Sequence, residues 1–521
     1  MRFCTCDSAA VARILSHTRY SRYTMHPRAI HSPLLAFPLV ALPALVVLLS
    51  GPAVASVAET PQYSATFDAQ TSRVAVKLCL GQAHDVARFA ADSGWAMRFV
   101  DGVSRSGAGG VEIDGDGWRA PRWRAGECLA YKADIGAIAR SDKIDVGWKM
   151  GDDLVAAPQL WLLRVDGDAG EARVDVSLPA GWSISTPWRA VDDAPASSAR
   201  RVATNDANTR RFSIPPTPAD WSAAVAFGRF NEERIALPGG VLRLTILHGG
   251  DATQRAMLHR WFDHISQAIL SAYGKLPLPD VQVLMIPIQR NDHGHGGVLF
   301  GQSVRGQGNS LQLLVDPSRP ASDFDGDWMA VHELSHLMHP YLGDRGAWLA
   351  EGLATYYQNV LRARAGLLAP AQAWGELADG FARGASKQST DTLDDAAAKM
   401  HRTHAFQRIY WAGAAFWLTV DDDLRRESGD KIGLDTVLGR FGACCLPAYA
   451  EWQPEDFIAR LDKLAGTTLI AKRYREFAAQ RAFPDTTSVL AGLGVDRDGH
   501  PRDDRDHARR DAIMRAPPAG R

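Results

Sequence analysis

Residues 331–340 read VHELSHLMHP. His332 and His336 are four positions apart, so on a helix both imidazoles share one face, one turn apart. Two nitrogens placed in this way can meet a single ion. Glu333 projects to the side of that face. It is poorly placed to share the ion and well placed to hydrogen-bond a water on it. The pattern is the H-E-x-x-H signature of zinc hydrolysis. Catalytic zinc also needs a third protein ligand and an open position. Glu351, in the stretch GAWLAEGLATYYQNVL, is the candidate. His339 is a rival ligand by position, and its simpler reading is a histidine at the helix end.

Several elements must position these residues. Apolar spacing predicts a helix over 326–339, ended by Pro340. A loop with Pro340, Gly343 and Gly346 then lets the chain reverse into a second helix over 347–364. Gly352 removes a side chain where the two helices approach. Further helices are expected over 404–427, 453–465 and 467–480. Upstream, VLRLTIL from Val241 reads as a strand and Gln254 to Tyr273 as a helix. VQVLMIPI (281–288) and SLQLLVD (310–316) read as strands. The glycine-rich passage 294–308 lies between these two strands and lets another backbone approach closely. His293 and His295 are read as loop residues.

These residues carry a resemblance. His332-Glu333-x-x-His336 followed by Trp348-Leu349-x-Glu351-Gly352-x-Ala354-x-Tyr356-Tyr357 resembles the gluzincin metallopeptidases, and most closely the glycyl-aminopeptidase family. The stretch IYWAGAAFWLTVDDDLRRESGDKIGLDTVL (409–438) is similar to a family helix carrying Tyr, a Gly-Ala pair and an arginine. The resemblance implies Zn2+ held by His332, His336 and Glu351, with Glu333 as general base and acid. It also implies Tyr410 as donor to the transition-state oxyanion and an edge strand along which peptide substrate adds. Gly413, one turn beyond Tyr410, lets that helix pack close. On the edge strand the candidate substrate contacts are Gly301, Gln302 and Arg305. Aminopeptidase relatives place an acid there to hold the substrate amine, yet no Asp or Glu lies between Gly294 and Val315. Arg305 would repel an ammonium and suits a carboxylate.

The rest of the chain sets the context. It has 521 residues, 46% hydrophobic and 22% charged, with 58 basic and 59 acidic side chains. These values exclude a fibrous, wholly disordered or multispan membrane chain, and the charge balance gives no global field that would favour nucleic acid, so none is expected as a partner. Leu34 to Ser50 is an apolar run, preceded by Arg28 and followed by Ala53-Val54-Ala55, as in a secretory signal cleaved after Ala55. A signal of ordinary length would start at Met25. An uncleaved anchor is the alternative. Removing residues 1–55 takes five arginines and Asp7, leaving 53 basic and 58 acidic residues and a net charge of −5.

The fold expected is a multidomain α+β chain. A signal region (1–55) precedes an N-terminal β-sandwich-like domain (56–237), with SRVAVKLCL, WAMRFV, LWLLRV and ARVDVSL as strands. A zincin (thermolysin-like) metallopeptidase domain (238–495), helical in its second half, comes next. The polar stretch 192–207 reads as a loop, and the charged tail 496–521 as disordered. Export permits disulfides. Cys79 with Cys128 is the favoured pair. A bridge between the neighbours Cys444 and Cys445 would be strained, so these are expected to be buried thiols. The function expected is an exported zinc metallopeptidase acting on a peptide or protein, without stable membrane insertion after signal cleavage. The alternatives are a non-catalytic peptide- or envelope-binding module and a zinc hydrolase of a non-peptide amide.

Overall fold

The structure is a computed structural model and describes residues 60–516, except 91–94, 144, 168–169, 192–207, 289–295, 388 and 503–506. The signal segment, the loop 192–207, His293 and His295 lie outside the described residues. None of the described helices is long and apolar enough to cross a membrane.

Strands of the N-terminal region alternate, as half-buried strands must. Tyr63, Ala65 and Phe67 of Gln62–Asp68 turn inward, as do Val74, Val76 and Leu78 of Arg73–Cys79. These two strands lie within a seven-stranded mixed sheet. Two four-stranded sheets complete the region. Their apolar faces and that of the large sheet share one core rich in Trp118, Trp123, Trp161 and Trp188. Cys79 stands directly opposite Cys128 on neighbouring strands and is bridged to it. WAMRFV and LWLLRV, expected as strands, are mainly short 3-10 turns and loop; only Val100 and Arg164–Val165 are extended.

The next sheet has five strands, ordered Glu232–Leu237, Gly240–Ile246, Asp280–Pro287, Ser310–Val315 and Val298–Val304. The middle three run parallel and Val298–Val304 is an antiparallel edge strand. Glu232–Leu237 pairs antiparallel with Gly240–Ile246 and so forms the other edge of this sheet. Both faces of this sheet are covered, which explains its continuous apolar runs. Val281, Val283, Met285, Leu311 and Leu313 face the helices. Leu284, Ile286 and Leu314 face Val155, Ala224, Ala226 and Phe230 of the N-terminal region.

The helical half is built around Phe406–Ser428, here the tyrosine helix. Its run Asp421-Asp422-Asp423 is buried, and each carboxylate is paired, as burial of charge requires. Asp421 accepts from Tyr356 Oη at 2.8 Å and from Arg425 Nε at 2.9 Å. Asp422 accepts from Arg509 at 2.8 Å and Asp423 from Arg473 at 2.7 Å. Three neighbouring residues thus tie three different elements to one helix. Helices Pro370–Ala385 and Leu434–Cys445 were not anticipated.

Two expectations fail here. The tail is not wholly disordered: Ala508–Met514 is a helix that buries Ile513 and Met514, and Arg364 Nε donates to Ile513 O at 2.8 Å. The partner of Arg509 is the buried Asp422, so docking rests on an ion pair that apolar periodicity does not report. Cys444 and Cys445 are not buried thiols. They are bridged to each other where their helix ends and the chain turns extended at Leu446.

Candidate active site

The helix Met329–Ser335, which carries His332 and is here the candidate metal-binding helix, continues as a 3-10 turn to Met338 and stops before Pro340. Asp327 Oδ1 accepts the Met329 N–H at 2.7 Å and satisfies one orphan donor at its start. Asp327 is itself buried, which pushes its carboxyl up to about 7. His332 and His336 project from one face with ring centroids 5.0 Å apart.

Glu351 arrives from the next helix, Ala347–Arg364, here the glutamate helix. Its Oε2 lies 3.2 Å from His332 Nε2 and 3.6 Å from His336 Nε2. One ligand atom from each of the three residues lies within 4.8 Å of the others. The tyrosine helix crosses the glutamate helix at paired glycines. A Cβ on Gly352 would come within 2.3 Å of the Gly413 backbone, and one on Gly413 within 1.9 Å of Trp348 O. This crossing lays the Tyr410 ring nearly parallel to His332, centroids 5.9 Å apart, with its hydroxyl on the Glu351 side.

Each histidine has a partner at its far nitrogen. His332 Nδ1 lies 2.8 Å from Gln358 Oε1. His336 Nδ1 lies 3.0 Å from His339 Nε2, and His339 Nδ1 lies 2.7 Å from Pro340 O. His339 therefore turns toward His336 and its own turn, and does not join the cluster of ligand atoms. Gln358 was missed in the sequence; it sits two turns beyond Glu351 on the same helix face, a spacing that points to it only once the ligands are known.

Electrostatics separate the two glutamates. Burial raises Glu333 above the ordinary carboxyl range, against the pull of His336 and His332. Burial acts on Glu351 too, but His336 and His332 overcome it and hold Glu351 well below the usual range. Burial, then Glu351, pushes the Tyr410 hydroxyl well up, so it stays a proton donor. Burial, then Arg305 and His336, lowers His339 well below the ordinary histidine value.

The edge strand places its three candidates differently. Gly301 faces Glu333: a Cβ there would stand 2.8 Å from Glu333 Cγ. Gln302 is the next residue and points to the opposite face of the sheet, where its Nε2 donates to Gln312 Oε1 at 3.0 Å. Its side chain thus faces away from Glu333, since strand alternation turns neighbouring residues to opposite faces. Arg305 is half-buried and turned toward the end of the His332 helix. Its Nη2 donates to His336 O at 2.6 Å and His339 O at 3.2 Å, and burial lowers it to about 10.

Two imidazole nitrogens and one carboxylate oxygen are the donor set of catalytic zinc, and their convergence fits that ion. The family model of the M61 glycyl aminopeptidases matches residues 331–414, the span from the metal-binding helix through Tyr410 and Gly413. Over this span the chain is similar to the glycyl aminopeptidases, and its converged donors are those of a zinc-peptidase site. An aminopeptidase N family protein of Idiomarina loihiensis has a similar structure, with TM-score 0.62 at 14% identity, covering 84% of this chain and 79% of that one. The likeness extends the shared fold well beyond the matched span. An M1 zinc metallopeptidase of Deinococcus radiodurans also matches, with TM-score 0.49 at 14% identity over 82% of this chain and 94% of its own. No curated protein matches the chain.

Proposed function

We propose that the chain is an exported metallopeptidase in which His332, His336 and Glu351 hold zinc and Glu333 and Tyr410 do the proton chemistry. The convergence of both His Nε2 atoms on Glu351 Oε2, with Glu333 beside them, carries this reading. Zinc bound there supplies a Lewis acid and a water acidified to near neutral pH. Glu333, held above the usual carboxyl range by burial, accepts the proton of the attacking water and returns it to the leaving amine. Tyr410 keeps its proton and donates a hydrogen bond to the oxyanion of the tetrahedral intermediate.

Peptide substrate adds to the free side of Val298–Val304 through main-chain hydrogen bonds, as an extra strand. That strand offers no carboxylate for a free amine. The favoured cut is therefore internal to a chain rather than at its first residue. Export is supported by the signal-like N-terminus and by the Cys79–Cys128 bridge between paired strands.

The test is digestion of a peptide library with product mapping, beside metal analysis of wild type and Glu333→Gln. Wild type should hold one zinc and release internal fragments. Glu333→Gln should keep its zinc and lose about 10²–10⁴-fold in turnover. A protein that neither holds nor takes up zinc refutes the reading, and release of single N-terminal residues refutes the internal cut.

A further inference from the structure

We infer that His339 and Arg305 are positioning residues that fix the second zinc-binding histidine, and that the N-terminal β region sets the brace. The inference rests on the zinc reading above and adds residues that neither the motif nor the family match identifies.

The hydrogen-bond direction is set from one end. Pro340 O is a carbonyl and can only accept, so His339 Nδ1 must carry the proton of that 2.7 Å contact. Neutral His339 then has a bare Nε2, which accepts the His336 Nδ1 proton across 3.0 Å. His336 is left with its lone pair on Nε2, the atom that faces Glu351. A carbonyl of the chain thereby dictates the tautomer of a metal ligand two hydrogen bonds away. His332 reaches the same state by a shorter route, through Gln358 Oε1.

The relay works only if His339 stays in place, and it sits past the helix end, where the backbone has already turned extended. Arg305 holds it there. One guanidinium nitrogen donates to the carbonyls of both His336 and His339, so the backbone on either side of the relay is pinned by a single group. Arg305 is fixed in turn by its two neighbours, Gly306 and Gln307. Gly306 N donates to Ser222 O at 2.9 Å and Gln307 N to Thr217 Oγ1 at 2.8 Å. Trp188 Nε1 donates to Gln307 Oε1 at 2.8 Å. Each of these partners belongs to the N-terminal region, which therefore shapes the metal site through one turn of the edge hairpin.

The test measures zinc affinity by chelator competition and the visible absorption of the Co2+-substituted protein, with apo-protein melting as control. His339→Ala should weaken zinc about 10–100-fold, the range for lost outer-shell partners, and should alter the cobalt bands, while apo melting falls only as for other deleted buried side chains. His339→Gln, whose carbonyl oxygen can accept the same proton, should recover most of the affinity. Arg305→Gln should produce a loss of the same kind, and it serves as the second reading if His339→Ala fails to fold. Wild-type affinity and cobalt spectrum in His339→Ala, or in Arg305→Gln, would overturn the inference. A Gln variant no better than Ala would remove the proton relay from it. A wild-type protein without zinc affinity would instead overturn the underlying zinc reading.

Discussion

The candidate site is flanked by two walls, helices and an edge strand, and they are built on different periods. On the helical wall, His332, His336, Glu351 and Tyr410 come from three helices and meet because each presents one face. Their polar atoms are engaged by one another, by Gln358 and by His339. On the strand wall, consecutive side chains point to opposite sides, so only every second residue of Val298–Val304 can face the chemistry. Gly301 faces it and Gln302 does not. The helical wall supplies reacting groups through side chains. The strand wall supplies backbone and space. If this contrast is right, helical-wall variants act on the chemical step, whereas strand-wall variants act only where a new atom intrudes.

After Glu333→Gln, the largest effect expected from this contrast is at Tyr410. Tyr410→Phe removes the oxyanion donor and keeps the ring stacked on His332, so turnover should fall about 10²–10³-fold at unchanged zinc content. Steady-state rates with metal analysis check this. A variant with wild-type turnover would take Tyr410 out of the mechanism and leave it as a packing aromatic on the helical wall.

The two walls also differed in how much the sequence disclosed. The spacing of His332 and His336 and the reversal through Gly343 and Gly346 accord with helical geometry, whereas Gly352, expected against the His332 helix, instead meets Gly413 of the tyrosine helix. Helix and strand order from Val241 to Ala478 accords with the same patterns, with helices Pro370–Ala385 and Leu434–Cys445 overlooked. Pro370–Ala385 was in fact legible, since Pro370 opens it and Trp374, Leu377, Ala378 and Phe381 recur at helical spacing. Arg305 was misjudged for a different reason. Its partners are the backbone carbonyls of His336 and His339, 31 and 34 residues away, and carbonyls leave no mark in a sequence. The docked tail is similar, because Arg509 is an ordinary surface residue until Asp422 is known to be buried. Local periodicity was readable; long-range polar pairing was not.

The strand wall yields the next prediction. Gly301→Ala puts a Cβ 2.8 Å from Glu333 Cγ and 3.1 Å from Met329 Cγ, closer than side chains tolerate. Glu333 must shift, and displacing a proton-transfer group by a fraction of an ångström should lower kcat by about 10-fold, rising toward 10² for Gly301→Val. Zinc content should hold, since the closest atoms to the added Cβ belong to Glu333 and Met329 and not to the ligand histidines. Equal kcat for Ala, Val and wild type would mean that Glu333 has free room and that the glycine serves substrate alone.

The smallest effect is expected one residue further on. Gln302 shares the strand, the solvent access and the polarity of a plausible substrate contact, and the sequence alone gives no reason to separate it from Gly301. Its amide, however, is bonded to Gln312 on the face that packs toward the N-terminal region. Gln302→Ala deletes that bond and leaves the strand backbone, the only part of the residue that substrate meets. Peptide kcat/KM should stay within about 2-fold of wild type, while apo stability drops by about 1 kcal/mol for the lost hydrogen bond. Chemical denaturation measured beside peptide hydrolysis separates the two. A large loss of kcat/KM at unchanged stability would place the Gln302 side chain in the cleft, reverse the register of the edge strand, and break the contrast between the two walls.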